Sequence, residues 1–89
     1  MQRRTYRFSG HVQGVGFRYT AQNIALCHNI YGYVRNLPDG RVELVMEGDE
    51  HEMDDVVKNV SRRMSGFVRH VEEQVAPATG EFHEFYIRH

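Results

Sequence analysis

Residues 42–64 read VELVMEGDEHEMDDVVKNVSRRM, and a change in hydrophobic spacing within this stretch decides the fold. Val42, Leu44 and Met46 recur at every second position, which is typical of a strand that buries one face. Beyond Gly48 the apolar residues recur at intervals of three and four, which predicts an amphipathic helix. The apolar positions of this helix are Met53, Val56, Val57, Val60 and Met64. The stretch therefore predicts a strand followed directly by a core-facing helix.

Turn and capping residues mark the boundaries of this strand and this helix. Residues 31–37 form a second strand-like run, and Pro38-Asp39-Gly40 between the two runs is a turn signal, so the two strands are predicted to form a hairpin. Asp49 is a good helix N-cap, and Glu52, three residues later, completes a capping-box pattern. The helix is expected to end at Gly66.

The N-terminal part of the chain predicts another strand and another helix. Tyr6, Phe8 and Val12 alternate with polar residues, which indicates a strand with one buried face. Residues 17–28 are predicted to form a helix, and Asn29 tolerates the left-handed conformation that ends helices. The face of this helix that should be buried carries Ala21, Ala25 and His28, and His28 is expected to be a half-buried structural residue.

The C-terminal part predicts two further strands. Val68, Val71 and Val75 indicate an extended but irregular fourth strand, residues 77–80 a loop, and residues 82–87 a short final strand. The element order is therefore β-α-β-β-α-β with an added short strand. Two helices cannot cover both faces of a sheet of four or five strands, so we expect both on one face of a mostly antiparallel sheet, an open-faced α+β sandwich.

Length, charge and cysteine content limit the classes of protein. With 89 residues the chain is expected to be a single domain, residues 1–89. The formal net charge of −1 provides no overall basic field for nucleic acid or a membrane surface. The sequence contains no apolar stretch long enough to span a bilayer, and its single cysteine, Cys27, fits a reducing compartment. We therefore expect a cytoplasmic protein that binds neither nucleic acid nor membranes. Because no long apolar surface stripe demands a partner, we also expect a monomer.

A glycine-rich segment, Gly10-His11-Val12-Gln13-Gly14-Val15-Gly16-Phe17-Arg18, joins the first strand to the first helix. A helix N-terminus offers unpaired N–H groups and the positive end of its dipole, and a Gly-rich loop lets further N–H groups turn around an anion. Arg18 adds a planar fork of donors that suits a phosphate. An ordinary strand-to-helix turn followed by a solvated arginine accounts for the same residues equally well. The spacing matches neither the P-loop nor the dinucleotide fingerprint.

Two segments resemble the signatures of the acylphosphatase family. The first is Gly10-x-Val12-Gln13-Gly14-Val15-x-Phe17-Arg18, and the second is Gly32-Tyr33-Val34-Arg35-Asn36-x-x-x-Gly40-x-Val42-x-x-x-x-x-Gly48. Both match at every defining position, the interval between them is also the family's, and the likeness extends to Phe85-Tyr86-Ile87. Two long signatures in the right order are far more specific than a lone glycine motif. The resemblance implies a ferredoxin-like sandwich, which matches the predicted element order.

The resemblance also implies an activity and a set of functional residues. Family members hydrolyse the carboxyl–phosphate bond of acyl phosphates without metal or cofactor, and the product, inorganic phosphate, should inhibit competitively. Arg18 and Asn36 would be catalytic, with Arg18 as the charged ligand of the phosphate and Asn36 holding the attacking water. The phosphate would be bound by Gln13, Gly14, Val15, Gly16, Phe17 and Arg18. Gln13 is expected to act through its backbone more than its side chain, and Phe17 to anchor the helix start in the core.

The chemistry of the reaction fits so small a set of residues. The leaving carboxylate needs no general acid, and the substrate phosphate can accept the proton of the water, so what remains is charge stabilisation and positioning. Strand alternation places Asn36 on the same side as Val34. If Val34 faces the helices, Asn36 lies on the side where the first helix begins. Arg35 should point to the opposite face as a solvated or paired surface residue.

Other functions are compatible with the sequence. Tyr31-Gly32-Tyr33-Val34 partly mimics the aromatic strand signature of RNA-binding domains, although it follows the first helix and lacks the basic start and the final aromatic. The chain could also be a degenerate or auxiliary acylphosphatase-like domain, such as those at the front of larger carbamoyl-transfer proteins. The six histidines are scattered, and His51-Glu52-Met53-Asp54-Asp55 lacks the second histidine of a zinc helix motif, so no metal site is predicted.

Overall fold

Five strands and two helices follow one another in the predicted order in this computed structural model, which describes all of residues 1–89. The strands are β1 (Gln2–Gly10), β2 (Ile30–Asn36), β3 (Val42–Gly48), β4 (Val68–Pro77) and β5 (Phe85–Ile87), and the helices are α1 (Phe17–Ala25) and α2 (Glu50–Arg63). The longer helix, α2, has 14 residues. Neither helix combines the length and the apolar character needed to cross a bilayer.

The strands form one sheet in the order β4-β1-β3-β2-β5. The central strand β3 pairs antiparallel with β1 and β2, β4 pairs antiparallel with β1, and β5 pairs parallel with β2. Side chains from one face of the sheet pack with side chains of both helices in a cluster of 17 buried residues. Both helices therefore cover the same face, which confirms the predicted ferredoxin-like, open-faced sandwich.

The fourth strand is more regular than its sequence suggests. β4 pairs with β1 from Pro77, opposite Gln2, to Val68, opposite Gly10, and the register shifts once, between Ser9 and Gly10. Nearly all residues of β4 are exposed, because it forms an edge of the sheet. A strand that buries neither face needs no alternation of apolar residues, which explains the irregular pattern of its sequence. The backbone pairing is irregular only at that one shift.

Three elements, α1, α2 and the final strand, are shorter than predicted, and α2 already ends at Arg63. α1 ends at Ala25, and the amides of Cys27 and His28 donate to carbonyls three residues earlier rather than four. Such tightening is common where a helix ends. His28 therefore lies beyond the helix, but it is half-buried as predicted, with Nδ1 2.6 Å from Oε2 of Glu52. The final strand begins at Phe85, three residues later than predicted.

Asp49 caps α2 as predicted, but the capping box does not form. Oδ1 of Asp49 accepts a hydrogen bond from the backbone N of His51 at 2.8 Å. The carboxylate of Glu52 instead lies against His28 and accepts a hydrogen bond from the backbone N of Asn29 at 3.3 Å. Glu52 thus joins the turn after α1 to the start of α2, a tertiary contact that local spacing does not encode.

A buried carboxylate on the open face of the sheet holds the loop between β4 and β5. Glu47 on β3 is 5% exposed. Its carboxylate accepts hydrogen bonds from Nε of Arg3 at 2.8 Å, from N and Oγ1 of Thr79 at 2.9 and 3.0 Å, and from N of Gly80 at 2.9 Å. Burial alone would raise the pKa of Glu47, but these bonds lower it to about 2.

Glu47→Gln is expected to destabilise the protein at pH 7 by about 2–3 kcal/mol, because an amide places N–H groups against donors. In the wild type, the contribution of Glu47 is complete above its ordinary pKa of 4.5 and is lost as the pH falls through about 2. Urea unfolding at neutral and acid pH measures both effects. Glu84→Gln alters an exposed carboxylate of the same loop and should change nothing. Equal stabilities of Glu47→Gln and wild type at pH 7 would contradict this account.

Candidate active site

The register of the central strand brings two distant parts of the chain together. Val42 on β3 pairs with Phe8 of β1 on one side and with Asn36 of β2 on the other. β1 and β2 therefore run in the same direction. Their last residues lie at the same end of the sheet, about 10 Å apart, because one strand separates them. At this end of the sheet the chain leaves β1 and enters the β1–α1 loop, residues 11–16.

Two glycines shape the β1–α1 loop. Gly14 and Gly16 both have a φ of 78°, in the left-handed region that other residues rarely adopt. Gly16 is the N-cap of α1 and provides no side-chain cap, so the first turn keeps its free N–H groups. The N–H groups of Gly14, Val15 and Gly16 also donate to no backbone acceptor. The loop and the helix start thus present unpaired donors at the positive end of the helix dipole.

These donors border a small cavity that Arg18 and Asn36 share. The cavity has a volume of about 100 Å³ and is lined by Val12, Gly14, Gly16, Phe17, Arg18, Tyr19 and Asn36. This is roughly the volume of three water molecules in the liquid and lies well below the size of sites for larger ligands, so the cavity suits a small ion. Five of the seven predicted site residues line it, whereas Gln13 and Val15 do not.

The start of α1 is held in the core while its arginine stays accessible. Phe17 is 2% exposed, and its ring centroid lies 4.9 Å from that of Phe8, so it anchors the helix as predicted. Arg18 is partly exposed. Its Nη1 lies 3.5 Å from Nδ1 of His89, at the outer limit of a hydrogen bond. The guanidinium of Arg18 is therefore available to an anion in the cavity.

Strand alternation separates Asn36 from Arg35. Val34 is fully buried in the core, and Asn36, two residues later, lines the cavity on the same side of the sheet. Nε of Arg35 donates to Oε1 of Glu43 at 2.9 Å on the open face. Asn36 is thus brought to Arg18 as the strand pattern predicts, and Arg35 is a paired residue on the opposite face.

The side chain of Gln13 makes contacts that the sequence does not predict. Nε2 of Gln13 donates to the carbonyl oxygens of Leu37 at 2.8 Å and Arg41 at 3.0 Å. Both carbonyls belong to the turn between β2 and β3, so the side chain ties the loop to the hairpin that carries Asn36. Val15 packs against the core cluster instead of lining the cavity.

Tyr19 is a cavity residue that sequence reasoning misses. It follows Arg18 in the first turn of α1, lines the same cavity and is 65% exposed. Its place directly after Arg18 is the signal that could have identified it.

A wider cleft is lined by residues from the C-terminal parts of both helices and from the turn after α1. It has a volume of about 380 Å³ and is lined by Ile24, Cys27, His28, Asn59, Arg62 and Arg63. The C-terminal ends of helices carry the negative ends of their dipoles. Despite its two arginines, this cleft is therefore less suited to an anion than the start of α1.

Known proteins resemble this chain over nearly its whole length. A sequence profile of the acylphosphatase family matches residues 4–87. The acylphosphatase of Paenarthrobacter aurescens strain TC1 is 49% identical over 86 residues, which cover 96% of this chain and 92% of that protein. The crystal structure of acylphosphatase from Bacillus subtilis matches with a TM-score of 0.89 at 31% identity and covers 100% of both chains.

A longer protein contains the same fold. The crystal structure of T. kodakarensis HypF matches with a TM-score of 0.84 at 30% identity, and the match covers 100% of this chain and 12% of that one. The full-length matches confirm both the family and the fold predicted from the two signatures. The chain belongs to the acylphosphatase family, and the reaction it catalyses is the hydrolysis of acyl phosphates.

Proposed function

We propose that the cavity between the β1–α1 loop and the end of β2 is the active site. In this proposal the loop and Arg18 bind the phosphoryl group, Asn36 holds the attacking water, and no metal or cofactor takes part. The observation that carries the proposal is the shared cavity, whose lining includes Gly14, Gly16, Arg18 and Asn36.

The loop and Arg18 supply complementary parts of phosphate binding. The backbone N–H groups of Gly14, Val15 and Gly16 have no backbone acceptor, so they can donate to phosphate oxygens without breaking other bonds between backbone groups. Arg18 adds a positive charge and a planar set of donors. Negative charge is spread over the phosphoryl oxygens in the transition state, and donors that are fixed in advance stabilise it without reorganising.

Asn36 suits a positioning role rather than that of a base. Its amide can accept a hydrogen bond from water and donate one to it, but it does not titrate. The water oxygen forms a bond to phosphorus while the bond between phosphorus and the acyl oxygen breaks, and that electron pair leaves with the carboxylate. The proton of the water passes to a phosphate oxygen. Because the carboxylate leaves without a proton, the site needs no general acid.

The open face of the sheet disfavours the RNA-binding alternative. Tyr33, in the run that resembles an RNA-binding signature, is 9% exposed, and its ring is covered by Phe82 and Arg88. The same face carries the buried carboxylates Glu43 and Glu47. Base stacking needs exposed aromatic rings, and these carboxylates already pair with the arginines that could otherwise bind a phosphate backbone.

We further propose that the protein acts as a monomer in the cytoplasm. The exposed edge strand β4 carries Arg69, His70, Glu72 and Glu73. Charged side chains on an edge strand discourage pairing with a second copy. The exposed free thiol of Cys27 fits a reducing compartment.

Arg18→Ala and Asn36→Ala are each expected to lower kcat/KM for a simple aromatic acyl phosphate by on the order of 10²–10³, because each removes a group that acts in the transition state. Arg18→Lys should lie between wild type and Arg18→Ala, since it keeps the charge and loses the planar fork. Steady-state kinetics on folded variants measure these changes.

The matched controls for these variants are Arg63→Ala and Asn23→Ala. They remove the same side-chain types from exposed positions on the two helices and should keep wild-type activity. Full activity in Arg18→Ala or in Asn36→Ala would overturn the site assignment.

Inorganic phosphate is expected to inhibit competitively, because it fits the place of the phosphoryl group. Its inhibition constant should rise by about 10- to 100-fold in Arg18→Ala, which loses charged hydrogen bonds, and by less than about threefold in Asn36→Ala. Initial rates at several substrate and phosphate concentrations give these constants. Non-competitive inhibition would place the phosphate outside the substrate site.

Activity is expected to survive prolonged dialysis against a strong chelator, because the reaction needs only charge stabilisation and positioning. The measurement compares kcat before and after dialysis, with metal content determined on the same samples. A loss of activity that a divalent ion restores would show that the reaction depends on a metal.

A further inference from the structure

Hydrogen bonds from the side chain of Gln13 link the β1–α1 loop to the β2–β3 turn. Nε2 of Gln13 donates to O of Leu37 at 2.8 Å and to O of Arg41 at 3.0 Å, so both amide protons are used. On the other side of the loop, N of His11 donates to O of Phe67 at 2.9 Å. The loop is thus anchored on two sides, and Gln13 is its anchor on the side of Asn36.

The two acceptors of Gln13 close the turn that follows Asn36. N of Leu37 donates to O of Arg41 at 2.8 Å, which makes these residues the base of the turn. Leu37 is the next residue after Asn36, and Arg41 precedes Val42, the sheet partner of Asn36. If the carbonyls of Leu37 and Arg41 shift, the residues directly next to Asn36 and Val42 therefore move with them.

The turn itself is held in place by charged side chains. Asp39 accepts hydrogen bonds from Nε of Arg41 at 2.8 Å and from N of Arg41 at 3.1 Å. Nη1 of Arg41 lies 3.6 Å from Oε2 of Glu72 on β4. These contacts give Gln13 a fixed pair of acceptors, so the turn sets the place of the loop relative to Asn36.

We propose that Gln13 is a positioning residue for the water-holding Asn36, a role that rests on the proposed function of the cavity. Gln13 does not line the cavity, so it acts through the turn and not on the substrate. Its two bonds set the distance between the Asn36 amide and the N–H groups of the loop. A displacement of about 1 Å can slow a reaction on the order of a hundredfold. Loss of the bonds therefore slows the chemical step and leaves phosphate binding intact.

The test compares Gln13→Ala and Gln13→Met with the wild type. Methionine has nearly the shape of glutamine, no donors and no charge, so Gln13→Met separates the hydrogen bonds from packing without adding a charge near the anion site. In both variants kcat for an aromatic acyl phosphate should fall by about 10- to 100-fold, while the inhibition constant of inorganic phosphate stays within about twofold. Gln74→Ala removes an edge-strand glutamine that accepts a hydrogen bond from Arg7 and should change neither value. Circular dichroism melts establish that each variant is folded at the assay temperature.

A double variant shows whether Gln13 acts through Asn36. If it does, adding Gln13→Ala to Asn36→Ala lowers the residual rate by less than about twofold. Three results would each overturn the positioning role: a wild-type kcat in folded Gln13→Ala, equal changes in kcat and the phosphate inhibition constant, or losses that multiply in the double variant. A wild type that hydrolyses no acyl phosphate would instead refute the proposed function, and the role of Gln13 with it.

Discussion

The pairing of Val42 with two strands at once is the constraint on which the site depends. Phe8 lies on one side of Val42 and Asn36 on the other, so β1 and β2 end at the same end of the sheet, on either side of β3. A slip of β2 by one residue would turn Asn36 to the open face and bring Arg35 to the helix side. The buried side chains of β2, Ile30 and Val34, oppose that slip, because both would have to leave the core. The cavity is therefore a consequence of how the core is packed.

The two faces of the sheet are filled by different chemistry. The helix face is apolar, whereas the open face buries carboxylates among arginines. Glu43 accepts hydrogen bonds from Arg7 at 3.0 Å and from Arg35 at 2.9 Å. Burial would raise the pKa of Glu43. The hydrogen bond and charge of Arg35, together with the hydrogen bonds from Arg7 and Tyr33, keep this pKa below its ordinary value. Paired charges thus take the place that a second layer of helices has in larger folds.

The sequence predicts those features that depend on strong local patterns. The buried strands and α2 are recognised from the regular spacing of their apolar residues. The side of the sheet to which Asn36 points follows from its position two residues after Val34. Other features are not predicted, because the local pattern carries no information about them. These are the regular pairing of β4, which buries neither face, and the early end of α1 in a turn of tighter hydrogen bonds. The bonds of Glu52 to the turn after α1 and of Gln13 to the β2–β3 turn join residues far apart in sequence. Only the packed structure brings such partners together.

The central claim is that the unpaired N–H groups of the β1–α1 loop, Arg18 and Asn36 form one anion site. A titration of the ¹⁵N-labelled protein with inorganic phosphate, followed by amide chemical shifts, tests this claim most directly. The account predicts saturable shifts of the backbone amides of residues 14–18 and of the side-chain amide of Asn36, with one shared dissociation constant. Saturable shifts confined to the cleft around Cys27 and Arg62, with the loop amides unchanged, would contradict it.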